Sequence, residues 1–260
     1  SVCELRENIL PAFEAFAERC PAEVAAHMDT MLNRVIGFMA FDPNYTYDDS
    51  DADSDAEMGD DSDYEDDEDG DYDDYDDFGG DDDDNTWKVR RASVKVIQAF
   101  IVSRPELLQQ LYNQCTDSLV GRLKEREESV KTSIIVCLEE LMKTTALRRT
   151  AGSRADGVVA LLEGKKDSIV NVICRLLKDK KTSVKVKTAL FALFSHFMNA
   201  LDLSSPAAEA AAGGAAPSPG ISAHFDMLVP LLATALRDRD GNLKLQVLQF
   251  LQMVLESHTT

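Results

Sequence analysis

Four histidines and five cysteines are the residues of this chain best suited to metal or nucleophilic chemistry, and their spacing supports neither. His27, His196, His224 and His258 stand far apart, no H-E-x-x-H occurs, and no cysteines have zinc spacing. Cys3, Cys20, Cys115, Cys137 and Cys174 are odd in number and form no C-x-x-C pair. Most of them fall among apolar positions of helical period, as buried thiols of a reducing compartment do. Gly213-Gly214 sits in an Ala/Pro stretch without the strand and helix that a phosphate loop requires. No Ser, Cys or Asp has an elbow or triad context. The expected class is non-enzymatic, with no metal, cofactor or small-molecule substrate.

Charge is the stronger signal. Asp48 to Asp84 hold 23 acidic side chains and no Lys or Arg, so the formal net charge of −20 belongs to this segment: outside it 24 acids face 27 bases. So dense a run of like charge repels itself and cannot bury enough apolar area to offset its ordering entropy, and it is expected to be disordered. Tyr45, Tyr47, Tyr64, Tyr72, Tyr75 and Phe78 lie in or beside it as possible stickers. Glu65, Asp67, Asp69, Gly70, Tyr72 and Asp76 follow calcium-loop offsets, but the first position is not Asp, the last is not Glu, and flanking helices are missing. Asn44-Tyr45-Thr46 matches a glycosylation acceptor. Ser50, Ser54 and Ser62 each precede an acid by three positions and are candidate phosphorylation sites, where phosphate adds charge to a segment already charged.

Immediately after the acidic segment comes Trp87-Lys88-Val89-Arg90-Arg91. Lys88, Arg91, Lys95 and Gln98 recur at steps of three and four opposite Val89, Ala92, Val96 and Phe100, which makes a basic stripe on an amphipathic helix. Lys88, Arg91 and Lys95 are the candidate partner-binding residues; the plainer reading is a solvated helix face. Trp87 is expected to pack at the helix start.

The elements that must carry these residues repeat. An acid, an apolar residue five positions on and a base at the sixth occur as Asp84/Val89/Arg90, Glu125/Val130/Lys131, Asp179/Val184/Lys185 and Asp238/Leu243/Lys244, with bases 41, 54 and 59 residues apart. Paired-helix repeats of the HEAT and armadillo kind have periods of about 40 to 47, so insertions are required, and Thr144 to Gly157 and Ser204 to Ser222 have linker chemistry. The acid suits the start of a second helix, where the helix dipole favours it, and the base can reach the next repeat. Arg90, Lys131, Lys185 and Lys244 are therefore read as repeat architecture.

Apolar positions such as Val130, Ile134, Leu138 and Leu141 keep helical steps in the second helices, the first helices are expected at Leu107 to Leu123, Ser168 to Leu177 and His224 to Leu236, and no segment alternates as a strand would. Val2, Leu5, Ile9, Phe13 and Phe16 give a helix ahead of the first full repeat. The expected fold is an all-α, right-handed HEAT/armadillo-like solenoid with a disordered acidic insertion. Its expected units are 1–20 (second helix of a preceding repeat), 21–103 (a repeat interrupted at 48–84), 104–145, 146–203 with a preceding loop, a flexible linker at 204–222, and 223–260. No apolar run approaches the roughly 18 residues that span a bilayer, and no signal segment opens the chain, so a soluble intracellular protein is expected. Because the first residue is Ser1, a piece of something longer is expected.

Three stretches carry a resemblance: Phe41-Asp42-Pro43-Asn44-Tyr45 before the acidic segment, Asp84-Asn85-Thr86-Trp87-Lys88-Val89-Arg90-Arg91-Ala92 after it, and Gly121-Arg122-Leu123-Lys124-Glu125-Arg126-Glu127-Glu128-Ser129-Val130-Lys131 one repeat later. They resemble the cullin-associated and neddylation-dissociated family; Arg19 to Val24 and Asn242 to Leu245 fit it more weakly. The resemblance implies the amino-terminal portion of a long HEAT solenoid that wraps an unneddylated cullin and its RING-box subunit. In that family the solenoid shields the modified lysine and supports assembly and substrate-receptor exchange of SCF-type complexes. Cytoplasmic and nuclear localisation is expected, with no nucleic-acid or membrane partner. Importin-beta-class nuclear import receptors, also HEAT solenoids with an acidic loop, and acidic chaperones for basic proteins are the alternatives.

Overall fold

Three of the four sequence signatures fold into one local geometry. The carboxylates of Glu125, Asp179 and Asp238 each accept the backbone N–H two residues on, from Glu127 (3.2 Å), Lys181 (2.9 Å) and Asp240 (2.9 Å). Each acid thus satisfies a donor in the turn that opens a second helix, the role its dipole favours. Two turns add a proper cap: Ser183 Oγ accepts from Val186 N–H at 3.3 Å, and Asp240 Oδ1 from Leu243 N–H at 2.8 Å. The fourth acid, Asp84, lies outside the described residues.

The structure, a computed structural model, describes residues 2–42, 86–150, 157–201 and 225–259. Among them every regular element is helical: α1 (Val2–Arg19), α2 (Pro21–Val24), α3 (Met28–Met39), α4 (Thr86–Ser103), α5 (Leu108–Gly121), α6 (Glu128–Thr150), α7 (Val158–Gly164), α8 (Lys166–Lys178), α9 (Val184–Leu201), α10 (Phe225–Arg237) and α11 (Gly241–Thr259). Single 3₁₀ turns at Ala25–His27, Pro105–Leu107 and Arg122–Lys124 lead into or out of first helices. The second helices form one row, with α1 on α4, α4 on α6, α6 on α9 and α9 on α11. First helices form the other layer, where α3 packs on α5, α5 on α7 and α8 on α10. This is an all-α solenoid of HEAT-like hairpins, in which each pair covers the apolar face its neighbour cannot cover alone.

Burial follows from the stacking. α6 lies between α4 and α9 and over α5, and it buries Ile134, Ile135, Cys137, Leu138, Leu141 and Met142 against them. The row is closed toward α11 by Phe191, Phe194 and Phe250, with Phe250 5.2 Å from the Phe194 ring centroid and 6.5 Å from that of Phe191.

Three sequence expectations need correction. Thr144 was expected to open a linker, yet α6 continues to Thr150. Thr145 is fully buried because its hydroxyl meets the Tyr112 hydroxyl at 2.8 Å and its own Oγ1 donates to the Leu141 carbonyl. The first helix of the following repeat begins at Val158, not Ser168, and Gly157 takes the left-handed conformation (φ 77°) that starts it. In α1 the expected core stripe is split: Leu10 and Ala17 are buried, whereas Leu5 and Phe16 are 61% and 52% exposed. α1 turns its Leu10/Ala17 side to the stack, leaving the other apolar side outward.

Candidate partner-binding surface

Arg90 is the most deeply buried basic residue among the described residues, at 1% exposure. It stands one turn into α4, and its guanidinium reaches across to the following repeat: Nε donates to Glu125 Oε2 at 3.0 Å and Nη2 to Oε1 at 3.4 Å. Its Nη1 donates to Thr86 Oγ1 (2.7 Å) and to the Phe41 carbonyl (3.3 Å), and lies 3.6 Å from Asp42 Oδ2. Glu125 also takes Arg122 Nη2 at 2.9 Å, and Asp42 Oδ1 takes Arg126 Nη2 at 3.2 Å. A fork of five donors suits this task, since one side chain binds a carboxylate, a hydroxyl and a carbonyl together. Thus the acid of one repeat is held by the base of the preceding repeat, and the residues flanking 43–85 meet on the same guanidinium. The reading of Arg90 as architecture is matched by this geometry.

Its neighbours on α4 face outward. Lys88, Arg91 and Lys95 are exposed while Val89, Val96 and Phe100 are buried, so the stripe is a solvent-facing cationic edge. Trp87 is half-buried against the core, with the Lys88 ammonium 5.9 Å from its ring centroid. Lys95 and Gln98 line a groove shared with Glu14 and Glu18 of α1. Two carboxylates therefore share this groove with Lys95 and offset part of its charge. Ser50, Ser54 and Ser62, the calcium-loop positions, Asn44 and His224 lie outside the described residues.

Sequence reasoning missed two polar features. On the edge opposite the signature turns, Arg104 donates to the Pro21 carbonyl and Arg148 to the Pro105 carbonyl. In both cases an arginine at or near the end of a second helix reaches back to the proline that opens its own repeat. The recurring Pro was visible, but its distant arginine was not. The second feature joins Glu139, Glu140 and Lys143 of α6 with His196 of α9. Lys143 Nζ is 2.9 Å from Glu140 and 3.7 Å from Glu139. Burial raises the Glu139 carboxyl against the pull of Lys143; burial, and then the Lys143 charge, depresses His196.

Cys115 and Cys137 are buried, and burial pushes the Cys115 thiol up to about 12 and the Cys137 thiol in the same direction. Both are held as neutral thiols rather than nucleophilic thiolates. Among the described residues no group of three or more His, Cys, Asp or Glu side chains is placed to hold a metal ion, and no helix is long and apolar enough to cross a membrane.

Comparison with known proteins finds relatives across nearly the whole chain. Cullin-associated NEDD8-dissociated protein 1 of Drosophila melanogaster is 34% identical over 264 residues, 98% of this chain. The protein of that name from Arabidopsis thaliana is 36% identical over 259 residues, also 98% of the chain. This chain belongs to the cullin-associated NEDD8-dissociated family. The Dictyostelium discoideum member is 39% identical over 197 residues, 75% of the chain and 15% of that protein. No family profile matches the chain. The chain spans 19% of the length of the Drosophila and Arabidopsis relatives, so it corresponds to a part of such a family member.

Proposed function

We propose that this chain is a non-enzymatic part of a cullin–RING ubiquitin ligase regulator. In this reading it binds an unneddylated cullin together with the RING subunit, supports assembly and substrate-receptor exchange of SCF-type complexes, and works in the cytoplasm and nucleus. The observation that carries the reading is similarity across 98% of the chain to relatives named for cullin association. Physical chemistry supports it: repeats bolted through Arg90 and Glu125 offer a preorganised surface, which lowers the ordering cost of binding. Exposed Lys88 and Arg91 add long-range attraction for an acidic patch, with Lys95 contributing less beside Glu14 and Glu18.

Co-elution of the purified chain with an unmodified cullin–RING pair in gel filtration tests the proposal. A stable shared peak is expected at low salt. Separate elution at every salt concentration would exclude the reading for this part of the protein. The combined reversal Lys88→Glu/Arg91→Glu/Lys95→Glu should weaken the complex, and unchanged co-elution would remove only the stripe from the interface.

A further inference from the structure

The break between α7 and α8 opens a groove outside the surface described above. α7 packs on α5, but the chain turns at Gly164–Lys165 and α8 packs on α10 instead, so α5 and α8 diverge. The space between them, about 210 Å³, has an apolar floor of Val120, Ile169 and Val172. Its rim carries Lys124 from the 3₁₀ turn that follows α5 and Arg175 from the last turn of α8, both exposed. Asp117 is the one acid of the lining and is paired with Lys165 across the groove. Among the described residues no carboxylate is paired with Lys124 or Arg175. Beyond the groove the rim continues into exposed Lys178, Lys180 and Lys181, where the carboxylate of Asp179 is engaged by the Lys181 N–H and the Thr182 hydroxyl.

We propose that this α5–α8 groove docks an extended acidic segment of a partner polypeptide, one aliphatic side chain seated on Val120, Ile169 and Val172 and flanking carboxylates on Lys124 and Arg175. Small-molecule pockets begin at about 300 Å³, so a groove of this volume suits a side chain of a longer ligand better than a whole small molecule. The apolar floor favours polypeptide over nucleic acid, whose capture on a basic surface relies on phosphate contacts and on aromatic stacking platforms; no aromatic side chain lines the groove. Charge complementarity selects the acidic class. The groove lies on the layer of first helices, whereas the Lys88/Arg91 stripe lies on the row of second helices, so the two can be tested separately.

The test is fluorescence anisotropy of a labelled peptide of glutamates around one leucine, titrated with the 260-residue chain. A saturable rise is expected, falling as ionic strength goes from about 0.05 to about 0.5 M because the Debye length shrinks. Lys124→Glu/Arg175→Glu should weaken binding about tenfold or more, with circular dichroism unchanged since both residues are exposed, while Lys88→Glu/Arg91→Glu should stay within about twofold. A peptide with glutamate in place of the leucine should bind several-fold more weakly. No saturable rise, or a rise untouched by the Lys124/Arg175 reversal, would overturn the proposal. So would equal displacement by a single-stranded RNA of matched charge, which would make the rim a general polyanion surface. A rise seen only after residues 48–84 are replaced by a Gly/Ser linker would assign the groove to the chain's own acidic segment and overturn a separate partner.

Discussion

At the scale of single residues, the buried Arg90–Glu125 pair joins one repeat to the next. Removing one member of a buried pair strands the other, so Arg90→Met should destabilise the fold by about 3 kcal/mol, read as a lower midpoint in urea. Arg90→Met/Glu125→Leu should cost less than the two single changes added together, because the pair is coupled across the repeat junction; strict additivity would refute that coupling. His196 gives a pH signature. Its folded pKa lies below the ordinary 6.5, so the unfolded chain takes up its proton first on acidification. Stability from this group is therefore complete above 6.5 and is lost as pH falls from there toward the folded value. The His196→Gln variant should show a flatter dependence of Tm on pH between about 7 and 5, and an identical slope would assign the dependence to other groups.

Elements show how much of this could be read beforehand. Helix-only fold class and the turn acids were legible in Glu125, Asp179 and Asp238, because a repeated spacing reports a repeated local geometry. The extent of α6 was not: Thr144-Thr145 and Arg148-Arg149 look like linker residues, and only Tyr112, 33 residues away, makes burial of the Thr145 hydroxyl favourable. Likewise the outward turn of Leu5 and Phe16 depends on which side of α1 meets α4, a choice that periodicity alone leaves open. Arg91 and Lys88 were legible as an exposed stripe, whereas the carboxylates of Glu14 and Glu18 beside Lys95 come from a helix about 80 residues earlier. Stacking also sets how damage spreads. Phe250→Ala should cost about 3 to 5 kcal/mol by opening a cavity against Phe191 and Phe194. Since each hairpin leans chiefly on its neighbour, amide exchange should accelerate in α10 and α11 while α4 and α6 keep their protection. Uniform acceleration would mean that the stack unfolds as one unit.

For the whole molecule, the separation of charge matters most: an acidic segment is spliced into one hairpin, and the helices around it present a modestly basic surface held rigid by the Arg90 network. Binding by such a stack draws on several repeats, so single surface changes should each alter affinity by less than about 1 kcal/mol, while combined reversals of the α4 stripe show a larger, salt-dependent loss. The proposed selectivity for an unmodified scaffold is tested most directly by calorimetric titration of this chain into the same cullin–RING pair with and without the attached ubiquitin-like modifier. The account predicts measurable binding to the unmodified pair and clearly weaker binding to the modified one, because solenoid and modifier would contend for one region. Equal affinity for the two forms would contradict it.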